Sequence, residues 1–347
     1  MKISKSIKLL LSAILLFAVI FAMSKMTSVS EWYVTNIYPL LAAILSFFSA
    51  LFPFSLFDIF TILAIISIFV LIFLMIVKKI KCIKALYIVA YSILIIIAWF
   101  YFSWGFAYFR QDFYTRCNIQ KSEYNADDFK TFAIDFITDA NSAYVDINNF
   151  DKKEINKKIE LQYKKLKDVL KIKYPNGKRK PKRMLYEFLH TKTGVSGYFG
   201  PFFNEIHVNN FLLDFDYPFT LAHEKAHQFG IASEAECNLF AFIVCATSND
   251  EQLRYSAYVS TIGYILRDYK KAFPDDYNDL LSQTDERIIN DLITSSEHWT
   301  NAKSKTLSKA HKVVYDAYLK TNKIDSGIKN YSEVVGLLIS TYNIFVK

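Results

Sequence analysis

The sequence predicts two parts of different fold class: an α-helical transmembrane N-terminal region, then a mainly α-helical (α+β) domain. Two observations predict this division. Nearly all long apolar runs fall in the first third of the 347-residue chain, and from Arg110 onward apolar residues recur at a helical period among charged ones. With 52% hydrophobic and 17% aromatic residues, the chain is rich enough for membrane spans plus one sizeable domain. We therefore place a membrane region at residues 1–107 and a second domain at residues 108–347.

Three apolar runs are long enough to cross a bilayer, whose hydrocarbon core takes about 20 residues of helix. They lie near residues 7–24, 56–77 and 85–107. A fourth apolar segment near residues 32–53 contains Pro39 close to its start and Pro53 at its end. We expect this segment to form an interfacial or re-entrant helix rather than to cross. The first run could also be a cleaved signal peptide.

The lysines predict the topology of this region. Lysines precede the first run, and the short segment Lys78–Lys84 between the second and third runs contains four of them. Cytoplasmic loops carry an excess of lysine and arginine, so both clusters should face the cytoplasm with two crossings between them. We therefore expect a multi-pass protein that contacts membrane lipid and has an extracytoplasmic domain.

The most informative motif is His223-Glu224-Lys225-Ala226-His227, in a chain with six histidines. Residues four apart lie on one face of a helix, so the two histidines can bind a single Zn²⁺ ion. Glu224 is placed to reach a water in the remaining metal position as general base. The pattern is typical of zinc peptidases and predicts hydrolysis of a peptide or protein substrate. We expect Lys225 to reach solvent from the side of the helix away from the metal.

A catalytic zinc site needs a third protein ligand. Gly230 is placed to end the motif's helix in the left-handed conformation, and Ser233 to cap the next helix. Glu234, in the first turn of that helix, is the favoured third ligand. Glu236 is its competitor, although a capping role would explain this residue without a metal. Cys237 is a further alternative.

Residues on both sides of the motif extend the prediction. Asn238 shares a helix face with Glu234, and we expect it to hydrogen-bond that carboxylate. Before the motif, the glycine-rich segment 193–201 leads into the alternating residues 204–210, which predict a strand whose edge could receive an extended substrate. Tyr198 could donate to a developing oxyanion, although packing explains it as well.

The remaining composition is less informative. The net charge of +8 comes with a basic run at residues 178–183, for which we expect a solvated loop. Contact with anionic lipid head groups or cell-envelope polymers is the alternative. We find no nucleic-acid-binding module and predict no nucleic-acid partner. The four cysteines are scattered and do not form a disulfide framework.

Several of these segments together resemble a bacterial membrane family catalogued as a domain of unknown function (number 3810). The residues that carry the likeness are Val195–Tyr198, Asn204–Asn209, Pro218–Glu224, Glu234–Asn238 and Asn330–Val335. The family is grouped with the zincin-like, gluzincin-type metallopeptidases. The resemblance implies a zincin-like second domain in the bacterial cell membrane, with His223, His227 and Glu234 as zinc ligands and Glu224 as the catalytic base.

Two other functions remain open. A zinc-binding membrane sensor would need the metal but not Glu224. A catalytically inactive interaction platform would need neither. The sequence specifies no substrate and no oligomeric state.

Overall fold

The chain is described by a computed structural model that covers residues 4–147, 150–175, 179–327, 329 and 333–347. The prediction of a mostly helical chain is confirmed. The structure divides into two compact units. The first unit comprises Met1–Gln111, Pro175–Leu185 and Gly200–Glu205, and the second comprises Asp112–Tyr174, Tyr186–Phe199 and Ile206–Lys347. Residue 178 of the basic run and residues 330–332 of the C-terminal segment named above lie outside the described residues.

The first unit is built from apolar helices. They are α1 (Lys5–Lys25), α2 (Thr27–Asn36), α3 (Tyr38–Ser49), α4 (Leu56–Ile76), α5 (Cys82–Ser103) and a 3-10 helix (Gly105–Phe109). Helices α1, α4 and α5 are long and apolar enough to cross a membrane, which confirms the three predicted runs. Helices α2 and α3 meet at a bend of 44° and together are apolar enough for a broken span or a re-entrant loop. This pair corresponds to the predicted interfacial segment near residues 32–53.

Buried polar contacts fix the start of α4. The Glu205 carboxylate accepts hydrogen bonds from the backbone N–H of Leu56 (3.1 Å) and Phe57 (2.9 Å). These donors lack partners within the helix, and a negative charge is stabilised at a helix N-terminus. Lys182 Nζ neutralises the same carboxylate at 2.6 Å, with 9% of the lysine side chain exposed. The prediction of a solvated basic loop is therefore wrong for Lys182, because this carboxylate holds it in the interior.

The second unit contains the remaining helices and a two-stranded sheet formed by β1 and β2. The elements are α6 (Phe113–Cys117), α7 (Ala126–Ala143), α8 (Lys152–Leu166), α9 (Glu187–Thr193), β1 (Gly197–Gly200), β2 (Glu205–Val208), α10 (Tyr217–Gln228), α11 (Glu234–Ala246), α12 (Glu251–Ala272), α13 (Tyr277–Ser282), α14 (Glu286–Ala302), α15 (Lys305–Thr321) and α16 (Val334–Phe345). Strand β2 lies where the alternating residues 204–210 predict one. The turn of the hairpin, Gly200–Glu205, is assigned to the first unit.

Helix α11 lies at the centre of the second unit. Its residues from Cys237 to Ala246 are all buried, as expected for a helix that is apolar on every side. Helices α8, α10, α12 and α16 pack against it. Gly230, with φ of +85°, ends the motif-bearing segment in the left-handed region, and the Ser233 side chain caps α11. Both features are as predicted, and they bring the first turn of α11 against the last turns of α10.

Candidate metal centre

His223 and His227 share one face of α10 and are both buried. The Nδ1 atom of His223 lies 2.8 Å from Oδ1 of Asn238, and that of His227 lies 2.8 Å from the Ile231 carbonyl oxygen. Each acceptor favours the tautomer that carries its proton on Nδ1. In that tautomer the lone pair is on Nε2 of both rings, which makes Nε2 the metal-binding atom.

Glu234 supplies a third electron-pair donor at the same point. Its Oε2 atom lies 3.0 Å from Nε2 of His223 and 3.4 Å from Nε2 of His227. In a tetrahedral zinc site, where bonds are about 2.0–2.1 Å, neighbouring ligand atoms lie about 3.3 Å apart. Three lone pairs that face one another repel unless a cation lies between them. The arrangement therefore fits a metal ion.

The electrostatics of the pocket agree with this geometry. Burial opposes a charge on Glu234, yet His227 and His223 hold the pKa of this carboxyl well below its usual range. Burial also opposes a charge on His227, whereas Cys237 and Glu234 raise its pKa well above the ordinary value. Both shifts have the same cause, since the pocket favours a positive charge between the histidines and the carboxylate.

Cys237 also lies close to the histidines. His223, His227 and Cys237 form a buried group that could hold a metal ion, with ligand atoms within 4.8 Å of one another. However, Sγ of Cys237 lies 3.3 Å from Nδ1 of His227, the atom that donates to Ile231, whereas Glu234 faces Nε2. A site with Glu234 therefore leaves the Nδ1 hydrogen bond intact. Burial raises the pKa of the Cys237 thiol to about 12.

Glu236, the other candidate ligand, is engaged elsewhere. Its carboxylate forms an ion pair with Arg116 of α6, and the arginine side chain is 3% exposed. The backbone N–H of Glu236 donates to the capping Ser233. Glu236 therefore links the first turn of α11 to α6.

Three polar contacts around the candidate ligands differ from the prediction or were not predicted. Asn238 was expected to contact Glu234, but its Oδ1 atom accepts a hydrogen bond from His223, because the packing of α10 on α11 brings that ring to it. Tyr264 of α12 forms a hydrogen bond with the same asparagine. The Tyr315 hydroxyl of α15 donates to Oε1 of Glu234 across 81 residues of sequence. No local pattern in the sequence indicates this last contact.

Glu224 lies beside the ligand group with a carboxylate oxygen available. It is buried, and its Oε2 atom has no hydrogen-bond partner among the described residues. Burial raises its pKa to about 7. A Cβ atom on Gly197 would lie 2.7 Å from Oε1 of Glu224, so the backbone of β1 runs directly against the carboxylate and a larger residue there would displace it. The site thus holds a buried carboxyl group whose basicity is increased by its surroundings.

Lys225 does not reach solvent, so that prediction is wrong. Its side chain is fully buried and forms an ion pair with Glu160 of α8. The other carboxylate oxygen of Glu160 accepts a hydrogen bond from Tyr174. Both faces of helix α10 are buried. The Lys225–Glu160 ion pair joins the face that does not carry the histidines to α8.

The aromatic residues before the motif form a stack. The ring of Tyr198 lies 4.2 Å from that of His207 with an interplanar angle of 14°, and its other neighbour is His190 at 5.0 Å. Packing therefore accounts for Tyr198 in this structure. In the C-terminal part, His298 contacts the Phe211 carbonyl oxygen at 2.5 Å and His311 stacks on Tyr315.

The chain thus combines apolar helices that could cross a membrane with a buried histidine group that could hold a metal ion. These features define a membrane-associated protein with a candidate metal centre. The model of the family described as "Protein of unknown function (DUF3810)" matches residues 33–339. The chain belongs to this family, as the motifs predicted. Comparisons with curated proteins and with solved structures gave no match.

Proposed function

We propose that this protein is a zinc metallopeptidase anchored in the bacterial cell membrane, with a zincin-like, extracytoplasmic catalytic domain. One observation carries the proposal. Nε2 of His223, Nε2 of His227 and Oε2 of Glu234 converge beside Glu224, whose buried Oε2 has no partner among the described residues. Two histidines, one carboxylate and a free general base are the groups that zinc peptidases use.

The ligand roles follow from the hydrogen bonds. His223 and His227 would hold Zn²⁺ through Nε2, with their rings fixed by Asn238 and Ile231. Glu234 would be the third ligand through Oε2, and Cys237 is the alternative. When bound, the zinc ion polarises the scissile carbonyl and lowers the pKa of the attacking water.

Glu224 is the proposed general base. It accepts a proton from the attacking water and passes it to the leaving amine. Burial raises the pKa of this carboxyl, which favours its accepting the proton of the attacking water.

The substrate is proposed to be an extended peptide. β1 pairs with β2, and no other described strand joins the sheet, so β1 has an edge that can accept a further strand. Gly197 brings the backbone of β1 against Glu224. A peptide bound along β1 would place its backbone near the proposed base.

The test is to compare Glu224→Gln with the wild type, using the purified full-length chain loaded with zinc. The probe is a mixture of unstructured peptides, and cleavage is read by mass spectrometry of new N-termini. We expect Glu224→Gln to keep its zinc and to lose activity by about 10²–10⁴-fold, the usual contribution of a general base. Glu236→Gln is the matched control and should retain both properties, because that carboxylate pairs with Arg116.

Two outcomes would contradict the proposal. Equal cleavage by wild type and Glu224→Gln would exclude Glu224 as the base. Bound zinc in a wild type that cleaves nothing would instead favour the sensor or the inactive platform.

A further inference from the structure

We propose that the second unit carries a docking surface for an anionic lipid bilayer, formed by the exposed sides of α9 and α15. We call it the α9–α15 face. Its apolar residues are Phe188 (70% exposed), Leu189 (53%), Leu307 (44%), Val313 (65%) and Val314 (70%).

The two helices that carry these apolar residues are neighbours. Helices α9 and α15 pack against each other, and the backbone N–H of Ser304, the residue that caps α15, donates to the Lys192 carbonyl oxygen at 2.9 Å. Exposed apolar residues that are scattered singly need no explanation, but a cluster rimmed by polar groups marks a contact surface. We therefore expect another molecule to cover the face.

The charged residues around the face indicate which kind of molecule binds there. Residues 303–320 contain five lysines, of which Lys320 pairs with Asp316 and Lys303 lies over the Trp299 ring. Lys192 of α9 lies over the Phe188 ring at 5.4 Å. A helix with apolar residues on one side and lysines around them is the type that lies on a membrane surface, with its apolar side chains among the lipids and its lysines at the phosphates. A neutral or cationic partner would leave the charges of Lys305, Lys309 and Lys312 uncompensated.

Helix α15 also contacts the candidate metal site. Tyr315, which neighbours Val314 in sequence, donates its hydroxyl hydrogen to Glu234. One helix therefore carries both the proposed lipid contact and a bond to the third ligand.

The experiment places an environment-sensitive fluorophore on the full-length chain in vesicles. The labelling site is Val314→Cys in a background of Cys82→Ser and Cys117→Ser, since Cys82 is exposed, Cys117 is half-buried and the other two cysteines are buried. Val313→Cys serves as a second site in case one variant folds poorly. The matched control is Leu161→Cys on α8, an apolar residue that is 65% exposed outside the face. The vesicles contain phosphatidylcholine alone or with phosphatidylglycerol, and a quencher is attached to the lipid chains.

In vesicles with phosphatidylglycerol, we expect blue-shifted emission and strong lipid quenching at position 314, and neither at position 161. Adding Lys309→Gln and Lys312→Gln, or raising the salt concentration, should reduce the quenching. Equal quenching at positions 314 and 161, or equal quenching in neutral and anionic vesicles, would overturn the proposal. Protection of position 314 from both lipid-borne and water-soluble quenchers would also overturn it and would indicate a protein occupant. None of these readouts depends on the proposed peptidase activity.

Discussion

At the scale of single residues, the meeting of the two histidines with Glu234 was predictable from the sequence, and the hydrogen bonds that surround these side chains were not. The HExxH spacing predicts that His223 and His227 share a face, and Gly230 predicts the turn that brings Glu234 back to them. Helical periodicity tells which residues share a face but not which helix lies opposite. The hydrogen bonds that Asn238 accepts from His223 and that Tyr315 donates to Glu234 depend on that packing. For the same reason the sequence did not show that Gly197 lies against Glu224.

Tyr315 gives the first prediction at this scale. Its hydroxyl orients the Glu234 carboxylate, and hydrogen-bonding partners of metal ligands contribute about 10–100-fold to metal affinity. We therefore expect Tyr315→Phe to weaken zinc binding by about this factor while the protein stays folded. The measurement is a zinc titration of the purified full-length chain against a chelator of known affinity.

Tyr318→Phe is the control, because Tyr318 lies on the same helix and stacks on Tyr315. This variant should bind zinc as the wild type does. If both variants lost the same affinity, the effect would come from the packing of α15 and not from the bond to Glu234.

At the scale of elements, helix α10 contains a buried residue that the sequence pattern predicts to be exposed. A lysine in the middle of a helix normally lies at the surface, and nothing near Lys225 in the sequence indicates otherwise. Glu160, which neutralises it, lies 65 residues earlier. The helix can be buried on both faces because α8 supplies this carboxylate.

Removing one partner of this buried pair should be costly. Glu160→Gln leaves the Lys225 charge in the interior without its partner, and we expect a loss of about 3 kcal/mol in the free energy of unfolding. The double variant Glu160→Gln with Lys225→Met removes both charges and should recover most of that loss. Thermal unfolding of the full-length chain in detergent measures both effects.

Glu154→Gln is the matched control on α8, since the Glu154–Lys157 pair is exposed and should contribute at most about 1 kcal/mol. Equal destabilisation by Glu154→Gln and Glu160→Gln would show that the buried pair has no special role.

At the scale of the whole molecule, hydropathy predicts the three apolar helices, because about 20 consecutive apolar residues are visible in the sequence itself. Composition did not indicate that residues 175–185 and 200–205 group with those helices. Their place depends on Lys182 and Glu205, whose contacts are long-range.

The lysine distribution also predicts a topology that Cys82 can test. Cys82 is exposed and begins α5, next to the Lys78–Lys84 loop. In spheroplasts, a membrane-impermeant maleimide should label Cys82 only after permeabilisation, because the loop is predicted to be cytoplasmic. Leu161→Cys, in a background of Cys82→Ser and Cys117→Ser, should be labelled without permeabilisation. The reverse pattern would place the second unit in the cytoplasm.

The most direct test of the account is the metal content of the purified full-length protein. We predict close to one zinc ion per chain in the wild type and in Glu236→Ala and Cys237→Ala. His223→Ala and Glu234→Ala should lose it. A well-folded wild type without zinc would contradict the peptidase proposal. Loss of zinc in Cys237→Ala but not in Glu234→Ala would replace the proposed third ligand with the thiol.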